Sequence, residues 1–285
     1  MSQQKATAST QSRMAQAFLA LHQQASAFII PNPWDVGTTR LLTQMGFKAL
    51  ATTSAGCAFS AGCQDNHLGR GEILKNAQSI VQATHLPVSA DLENGFGDEP
   101  EAVALTIKQA INIGLAGGSI EDADCLSDNP IYPIELGVQR IIAAREAITQ
   151  SGSSFVLTAR AENYLLGTPD IKDTIKRLQA YQEAGADVLY APGIKSIEDI
   201  SAVVSSLDNP VNVVMGLAGG NLTADTLSDI GVKRISAGSS LARAALGAFM
   251  RAATEMQTKG SFEFSEQAIN YGEISNLLAL KNDAL

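Results

Sequence analysis

The sequence lacks the features of a secreted, zinc-binding or membrane-spanning protein. Its three cysteines, Cys57, Cys63 and Cys125, form no C-x-x-C pair and have no zinc-type histidine spacing, which favours reduced thiols. The N-terminal segment 1–18 is polar and contains no apolar core of a secretory signal. No stretch approaches the roughly 20 apolar residues that a membrane helix needs. We therefore expect a soluble, cytoplasmic protein without a membrane partner.

Basic residues are also in deficit. Twenty Lys and Arg against 29 Asp and Glu give a formal charge of −9, which argues against nucleic acid or an anionic surface as the main partner. The hydrophobic content of 45% with 17% charged residues is ordinary for a soluble protein with a large core. A small molecule is the expected partner.

Short β-type segments alternate with helical patterns along the chain. The predicted strands cover residues 27–32, 49–54, 87–92, 117–122, 154–161, 186–192, 211–216 and 234–239. Most are continuous apolar runs, which is typical of parallel strands covered on both faces. Helical periodicity is clear in 135–150 and 171–185, and several helices end at a glycine such as Gly185 just before the next strand. This order predicts an α/β fold, a (β/α)8 TIM-type barrel.

A doubly wound open sheet is the alternative fold. It would place a glycine-rich fingerprint after its first strand, and 31-PNPWDVG-37 is not one. No linker rich in Pro, Gly or Ser divides the chain, so we expect one domain over residues 1–285. Within it, residues 1–24 are a helical extension, and about 240–285 supply surplus helices at 241–256 and 266–280. Surplus amphipathic helices cover a barrel end or pack on a partner subunit.

Acidic residues gather at the predicted carboxyl ends of neighbouring strands, where barrel active sites lie. The candidates are Asp65 after strand two, Asp91 and Glu93 after strand three, Glu121 and Asp122 after strand four, and Glu162 after strand five. Clustered acids repel one another unless some are protonated or a cation lies between them. Oxygen ligands without cysteine or histidine suit Mg2+ or Mn2+. The alternative is that each acid caps a helix or pairs with an arginine.

Several motifs at these strand ends are specific when taken together. They are 31-PNPWDVGTTRLL-42, 52-TTSAG-56, 64-QDNHLGRGEI-73, 90-ADLENGFGD-98, 120-IEDA-123, 159-ARAENYL-165 and 183-EAGAD-187. With them the chain resembles the isocitrate lyase/phosphoenolpyruvate mutase superfamily over about residues 28–249, in its phosphonomutase/methylisocitrate lyase-like branch. The resemblance implies a Mg2+-dependent, enolate-forming enzyme of small 2-oxo or 2-hydroxy (di)carboxylates, with helix-swapped dimers or tetramers.

The resemblance also implies a role for each matching position. The metal set is Asp91 as a direct ligand, with Glu93 and Glu121 acting through water. The catalytic set is Asp65, Glu121 and Arg160, the last pairing with substrate oxygens. The substrate-binding set is Thr53, Ser54, Ala55, Gly56, Asp91, Arg160 and Asn212.

Because the chain departs from the family pattern at two places, the sequence does not decide which bond of the substrate is broken. The lyase branch carries a K-K-C-G-H motif after strand four, whereas this chain reads 121-EDADCLSDNPIYPIE-135, and Cys125 has no flanking lysines. Pro192 stands where mutase members have a histidine. Decarboxylation, hydrolysis and retro-aldol cleavage of a carbon–carbon bond all fit. A C–P phosphonomutase and a silent barrel that only binds a 2-oxo acid are the alternatives.

Smaller signals give further hypotheses. Lys195 could form a Schiff base, although 193-GIKSIEDI-200 is more typical of a helix start capped by Ser196. His67 is an acid/base candidate or a solvated loop residue. The glycine-rich loops 216–222 and 237–241 follow strands seven and eight, where many barrels bind phosphate.

Overall fold

A computed structural model describes residues 2–217 and 222–279 and confirms the (β/α)8 barrel. The strands are Phe28–Ile30 (β1), Leu50–Ala51 (β2), Val88–Asp91 (β3), Gly117–Glu121 (β4), Val156–Arg160 (β5), Val188–Tyr190 (β6), Val211–Val214 (β7) and Arg234–Ser236 (β8). They form one parallel sheet in the order β1-β8-β7-β6-β5-β4-β3-β2. Ala51 N donates to Pro31 O at 3.0 Å, so the two ends of the sheet meet in a nearly closed barrel.

Helices alternate with the strands as the periodicity predicts. They are Ser2–His22 (α1), Val36–Gln44 (α2), Ser54–Ser60 (α3), Arg70–Gln82 (α4), Pro100–Asn112 (α5), Ile134–Ser151 (α6), Ile171–Glu183 (α7), Ile197–Ser205 (α8), Ala224–Asp229 (α9), Ser240–Lys259 (α10) and Tyr271–Leu278 (α11), with a 3-10 turn at Glu263–Gln267. Gly185, just past α7, has φ of +104°, a conformation that glycine adopts at little cost. Ser196 caps α8 by accepting from Asp199 N at 3.1 Å.

Helix α1 closes the amino-terminal end of the barrel. Ala15 and Phe18 on this helix are fully buried and share a cluster with Phe28, Val156 and Val188, which begin β1, β5 and β6. Burying such side chains stabilises the fold by about 1.5–3 kcal/mol each for the large ones. With one end covered by α1, the carboxyl ends of the strands form the open end.

Several predicted boundaries differ from those of the structure, and in two cases a capping residue explains the difference. The predicted strand 49–54 ends at Ala51, because Thr53 Oγ1 accepts from Gly56 N at 3.2 Å and starts α3 at Ser54. The predicted helix 266–280 begins at Tyr271, since Asn270 Oδ1 accepts from Gly272 N at 2.8 Å. Residue 280 lies outside the described part of the chain, as do 218–221 of the loop after β7.

The carboxy-terminal helices carry much exposed apolar surface. Along Ser240–Lys259, Ala242 is the buried residue, and Leu246, Phe249 and Met250 are exposed. Helix α11 returns to α2, where Gln44 Nε2 donates to Leu277 O at 2.7 Å. Exchange of helices between subunits stays a prediction. No helix within residues 2–217 and 222–279 has the length and apolar character to span a bilayer.

Candidate active site

The carboxyl ends of three neighbouring strands bring together three residues of the predicted catalytic and metal-binding sets. Asp91 ends β3, Glu121 ends β4 and Arg160 ends β5. Glu121 and Arg160 are direct register partners, and Asp91 is in register with Ser119 on the adjoining strand. Parallel strands place their carboxyl ends at one edge of the barrel, so the sequence order of these residues becomes a compact site.

Arg160 lies at the centre of the site and contacts three carboxylates. Its Nη1 is 2.9 Å from Asp91 Oδ1, its Nη2 is 3.0 Å from Glu121 Oε2, and its Nε is 2.8 Å from Glu162 Oε1. The side chain is 11% exposed, so solvent screens these contacts weakly. Three ionised acids around one guanidinium leave an excess negative charge. Burial, with repulsion from Glu162, Asp91 and Glu93, raises the pKa of Glu121 despite its contact with Arg160.

The segment from Thr53 to Gly56 borders the free side of Asp91. Ser54 Oγ donates to Asp91 Oδ2 at 2.9 Å, and Ser54 N lies 3.4 Å from the same oxygen. Ala55 is buried beside them. Gly56 packs closely, since a Cβ there would lie 2.7 Å from Thr53 Cγ2. The predicted substrate-binding segment is therefore adjacent to the predicted metal ligand.

Asp65 also reaches this cluster from the loop between α3 and α4. Burial raises the pKa of Asp65, and the Asp91 charge raises it further, while hydrogen bonds from Asn66 N and Ser54 oppose the shift. A carboxyl group with a raised pKa holds a proton more readily and can return it, which is what an acid/base residue does.

Glu93 is the most unusual acid of the site. It is 7% exposed, its φ is +48°, and its Oε1 has no hydrogen-bond partner among the described residues. Burial, followed by the charges of Asp91 and Asp65, raises its pKa to about 8. A strained backbone together with an unpaired buried oxygen costs free energy, so the surroundings must hold it in place.

A buried arginine on α6 holds the loop that follows Glu93. Arg140 donates to Gly97 O at 2.7 Å and also to the carbonyls of Asn94 and Asp98. Its guanidinium carbon lies 4.5 Å from the centre of the Tyr132 ring, and Tyr132 OH donates to Asp98 Oδ1 at 2.6 Å. These contacts fix the 94–98 loop and, through it, the backbone of Glu93.

Asp122 pairs with an arginine, which is the alternative to metal binding that the sequence left open for each acid. Its Oδ2 accepts from Tyr181 OH at 2.6 Å and from Arg177 Nη1 at 3.1 Å. Its Oδ1 accepts from Glu162 N at 2.9 Å. The side chain is therefore committed to structure, and it anchors the segment that carries Glu162.

Two cavities adjoin the acids. One, of about 60 Å³, lies inside the barrel and touches Asp91, Arg160, Asn212 and Arg234. The other, of about 270 Å³, lies at the rim and is bordered by Glu93, Glu121 and Cys125 among other residues. Asn212, on β7, thus lines the inner cavity, where its Nδ2 donates to Ser236 Oγ at 3.0 Å. Volumes of this size suit a small carboxylic acid.

The remaining candidates take minor positions. Cys125 Sγ is 3.7 Å from Glu121 Oε1, and burial, with the charges of Glu121 and Glu162, raises its pKa to about 12. The thiol is therefore protonated at neutral pH and is a weak base or nucleophile. His67 is exposed, with Nδ1 2.9 Å from Asp65 O. Lys195 is exposed just before α8.

The donor set fits a divalent cation in its chemistry. Within residues 10–217 and 222–279, no three His, Cys, Asp or Glu side chains stand in a chelating arrangement, and Arg160 contacts one oxygen each of Asp91 and Glu121. The donors are all oxygens, Glu93 Oε1 is unpaired, and the pKa values of Glu93 and Glu121 are raised. Oxygen-only sites with excess negative charge suit Mg2+ or Mn2+.

The roles implied by the resemblance left out Glu162, which the sequence had listed among the candidate acids, and the sequence did not single out Arg234. Glu162 contacts Arg160 Nε, and its position two residues after Arg160 in 159-ARAENYL-165 was the signal for it. Arg234 begins β8 and Asn212 is the second residue of β7, and each precedes an apolar residue. A charged residue in a strand covered on both faces indicates a polar interior, which alternation along the strand can locate.

Comparison with known proteins identifies the family. The model of the phosphoenolpyruvate phosphomutase family matches residues 18–257. The chain belongs to the phosphoenolpyruvate mutase/isocitrate lyase superfamily. A protein from Burkholderia cenocepacia J2315, described as a lyase/mutase, is 56% identical with a TM-score of 0.92, over 94% of this chain and 96% of that one. The superfamily resemblance found in the sequence is thus confirmed, and the chain is an enzyme of this superfamily.

Characterised relatives point to one type of reaction. A solved 2,3-dimethylmalate lyase is 26% identical, with a TM-score of 0.82 over 94% of both chains. The oxaloacetate decarboxylase of Pseudomonas putida GB-1 is 29% identical over 70% of this chain and 69% of its own length. The 2-methylisocitrate lyase of Bacillus subtilis 168 is 26% identical over 89% and 85%. These relatives support a carbon–carbon lyase.

The raised pKa of Glu93 gives a pH-dependent stability. Between its ordinary value of 4.5 and about 8, the folded protein binds a proton that the unfolded chain has lost, so stability falls as pH rises through this window. We expect the free energy of unfolding measured in EDTA to fall between about pH 5 and pH 8, by up to about 1.4 kcal/mol per pH unit, and the melting temperature to fall with it.

The matched variant for this measurement is Glu93→Gln, which removes the ionisable group and keeps the shape. Its melting temperature should change less with pH than that of the wild type over the same window. Equal slopes for the two proteins would show that Glu93 does not carry a raised pKa.

Proposed function

We propose that this protein is a Mg2+-dependent enzyme, with Mn2+ as a possible substitute, that breaks a carbon–carbon bond of a small 2-oxo or 2-hydroxy dicarboxylate. The observation that carries the proposal is the cluster of Asp91, Glu121 and Glu162 around Arg160, with the unpaired Glu93 beside it. Such an arrangement matches the chemistry of the lyase and decarboxylase relatives, which act on acids of this class.

Asp91, Glu93 and Glu121 would hold the metal ion. A bound divalent cation would supply Lewis-acid stabilisation of negative charge that develops on the substrate oxygen next to the broken bond. In each of the three reactions, decarboxylation, hydrolysis and retro-aldol cleavage, the electron pair of the broken bond stays on a carbon next to a carbonyl or carboxylate group, which delocalises it as an enolate. In decarboxylation that group is the 2-oxo group, whereas in hydrolysis and retro-aldol cleavage it is the carboxylate of the departing fragment.

The chain's own residues would bind and orient the substrate. Ser54 Oγ and the backbone of Ala55 and Gly56 lie beside Asp91 and would contact a substrate carboxylate. Arg160 would add a fixed positive charge, and its planar fork suits carboxylate oxygens. Donors positioned where charge develops typically contribute a few kcal/mol each to lowering the barrier.

Asp65 is the proposed acid/base residue. It lies beside Ser54 and Asp91 on a loop, and burial raises its pKa. A protonated Asp65 would deliver a proton to the leaving carbon or oxygen, and the ionised form would take one from a 2-hydroxyl group. Cys125 does not suit this role, since burial raises its pKa to about 12 and its protonated thiol cannot act as a base at neutral pH.

We also propose a cytoplasmic homo-oligomer, either a dimer or a tetramer. The exposed Leu246, Phe249 and Met250 on α10 support it, because contiguous exposed apolar surface marks an interaction site.

The experiment that tests the proposed function is product identification from a substrate panel. Purified protein with Mg2+ is given oxaloacetate, malates, methylisocitrates and phosphonopyruvate, and products are followed by proton and phosphorus NMR. We expect one of the carbon–carbon substrates to yield a 2-oxo acid or oxalate. Turnover of phosphonopyruvate alone would favour the phosphonomutase. Tight binding of 2-oxoglutarate or oxalate without any turnover would favour the silent barrel.

A further inference from the structure

A second arginine lies inside the barrel, and its contacts differ from those of Arg160. Arg234 on β8 is 5% exposed. Its Nε donates to Asn212 Oδ1 at 2.8 Å, its Nη2 donates to Thr158 Oγ1 at 3.0 Å, and its Nη1 lies 3.4 Å from His22 Nε2. Asn212 and Thr158 are neutral, and a histidine is either neutral or positively charged, so none of these three residues balances the charge of Arg234.

His22 is held neutral, so it accepts from Arg234 without adding a second positive charge. Its Nδ1 lies 2.9 Å from Phe18 O, which assigns the ring proton to Nδ1 and leaves Nε2 as the acceptor that faces Arg234. The ring packs edge-on against Phe18 and Phe28, at 4.7 and 5.1 Å between centroids. Burial, and then the charge of Arg234, lowers the pKa of His22 to about 3.

The two buried arginines thus differ in whether carboxylates balance their positive charge. Arg160 contacts three carboxylates, whereas no carboxylate in the described part of the chain forms an ion pair with Arg234. Burial lowers the pKa of Arg234 to about 10, so it remains charged at neutral pH. A buried charge without an opposite partner is costly, and two of its five N–H groups are left after the three contacts above.

Arg234 borders the inner cavity of about 60 Å³. Asn212 and Ser236 line it on the same side as Arg234, and Asp91 lies on its border near Ser54. Ser89 and Ser119 also line the cavity, and because their side chains are small they leave room for it. A polar cavity of this size holds water or a small ligand group rather than staying empty.

We propose that Arg234 is an anion-binding residue at the closed end of the active-site cavity and that it binds one carboxylate of a small dicarboxylate. The other end of that substrate lies near Asp91 and Ser54. The position of the other end of the substrate, near Asp91 and Ser54, rests on the proposed function. The assignment limits the substrate to acids short enough to span the cavity. Asp91, the one carboxylate among the described residues that line the cavity, is paired with Arg160, which leaves Arg234 for the ligand.

Binding of malonate and acetate separates this role from a structural one. Affinities are measured by isothermal titration, with Mg2+ and with EDTA, for the wild type, Arg234→Met and Arg234→Lys. We expect Arg234→Met to weaken malonate binding about tenfold or more, with a smaller effect on acetate, and Arg234→Lys to recover part of the loss. A folded Arg234→Met variant with wild-type malonate affinity would overturn the proposal. So would an equal loss for both anions, which indicates a general structural or electrostatic effect.

Arg145→Met is the matched control. Arg145 pairs with Asp187 at 2.6 Å, away from the cavity, and both side chains are about 30% exposed. It should bind malonate and acetate as the wild type does.

A crystal structure of the wild type with malonate keeps the proposal testable if Arg234→Met does not fold. We expect a malonate carboxylate within about 3 Å of the Arg234 guanidinium, and malonate bound elsewhere would overturn the proposal.

The binding readout is independent of turnover. Malonate binding that depends on Arg234, in a protein that turns over no panel substrate, would retain this inference and contradict the proposed function. Turnover of a panel substrate, together with malonate binding that does not depend on Arg234, would support the proposed function and overturn this inference.

Discussion

Replacing Asp91 with alanine is expected to abolish turnover while the protein stays folded. Asp91 is where the site's contacts meet, since Ser54 Oγ donates to one of its oxygens at 2.9 Å and Arg160 Nη1 to the other at 2.9 Å. Under the proposed function Asp91 would contact both metal and substrate, so its loss would remove stabilisation of the transition state. We expect kcat/KM to fall by at least about 10³-fold.

The folded state should tolerate this change because the site has more acids than cations. Removing Asp91 lessens the repulsion that raises the pKa values of Glu93 and Asp65, and Arg160 keeps Glu121 and Glu162. Circular dichroism and thermal melting verify the fold. Asp187→Ala is the control, an acid paired with Arg145 far from the cavity, and it should retain wild-type kcat/KM. Asp91→Ala with wild-type turnover would remove Asp91 from the mechanism.

Replacing Arg160 with methionine is expected to destabilise the protein more than any other single change considered above. The variant leaves Asp91, Glu121 and Glu162 without their shared cation in a largely buried place. Removing one partner of a buried ionic cluster typically costs about 3–5 kcal/mol. We expect a loss of this size in the free energy of unfolding by denaturant at about pH 7.5, together with loss of turnover.

The loss should be smaller at about pH 5.5. Burial already raises the pKa values of Glu121 and Glu162, and without Arg160 both rise further, so protons neutralise these acids as pH falls. Arg145→Met, whose partner Asp187 is partly exposed, should lose about 0–1 kcal/mol at either pH. A loss for Arg160→Met no larger than for Arg145→Met would contradict the charge balance described for the site.

Local patterns were enough to predict the barrel. Short apolar runs gave the strands, and glycines such as Gly185 gave the helix ends, because both signals depend on residues close in the chain. Boundaries at Ser54 and Tyr271 were wrong, since single side chains, Thr53 and Asn270, decide them through capping.

The site was predicted less completely than the fold. The convergence of Asp91, Glu121 and Arg160 follows from their places at strand ends. The sequence cannot show which atoms meet, because those contacts join residues far apart in the chain, and the Arg160–Asp91 pair is separated by 69 positions. For the same reason the Arg140 contacts that hold the Glu93 loop, and the absence of an acidic partner for Arg234 among the described residues, emerged from the structure.

Dependence of turnover on a divalent cation is the most direct test of the central claim. The substrate panel is repeated on protein stripped with excess EDTA, and then after Mg2+ is restored. We expect no product in EDTA and full turnover after Mg2+ is added, with Glu93→Gln requiring more Mg2+ for half-maximal rate. Full activity retained in EDTA would contradict the metal-dependent mechanism.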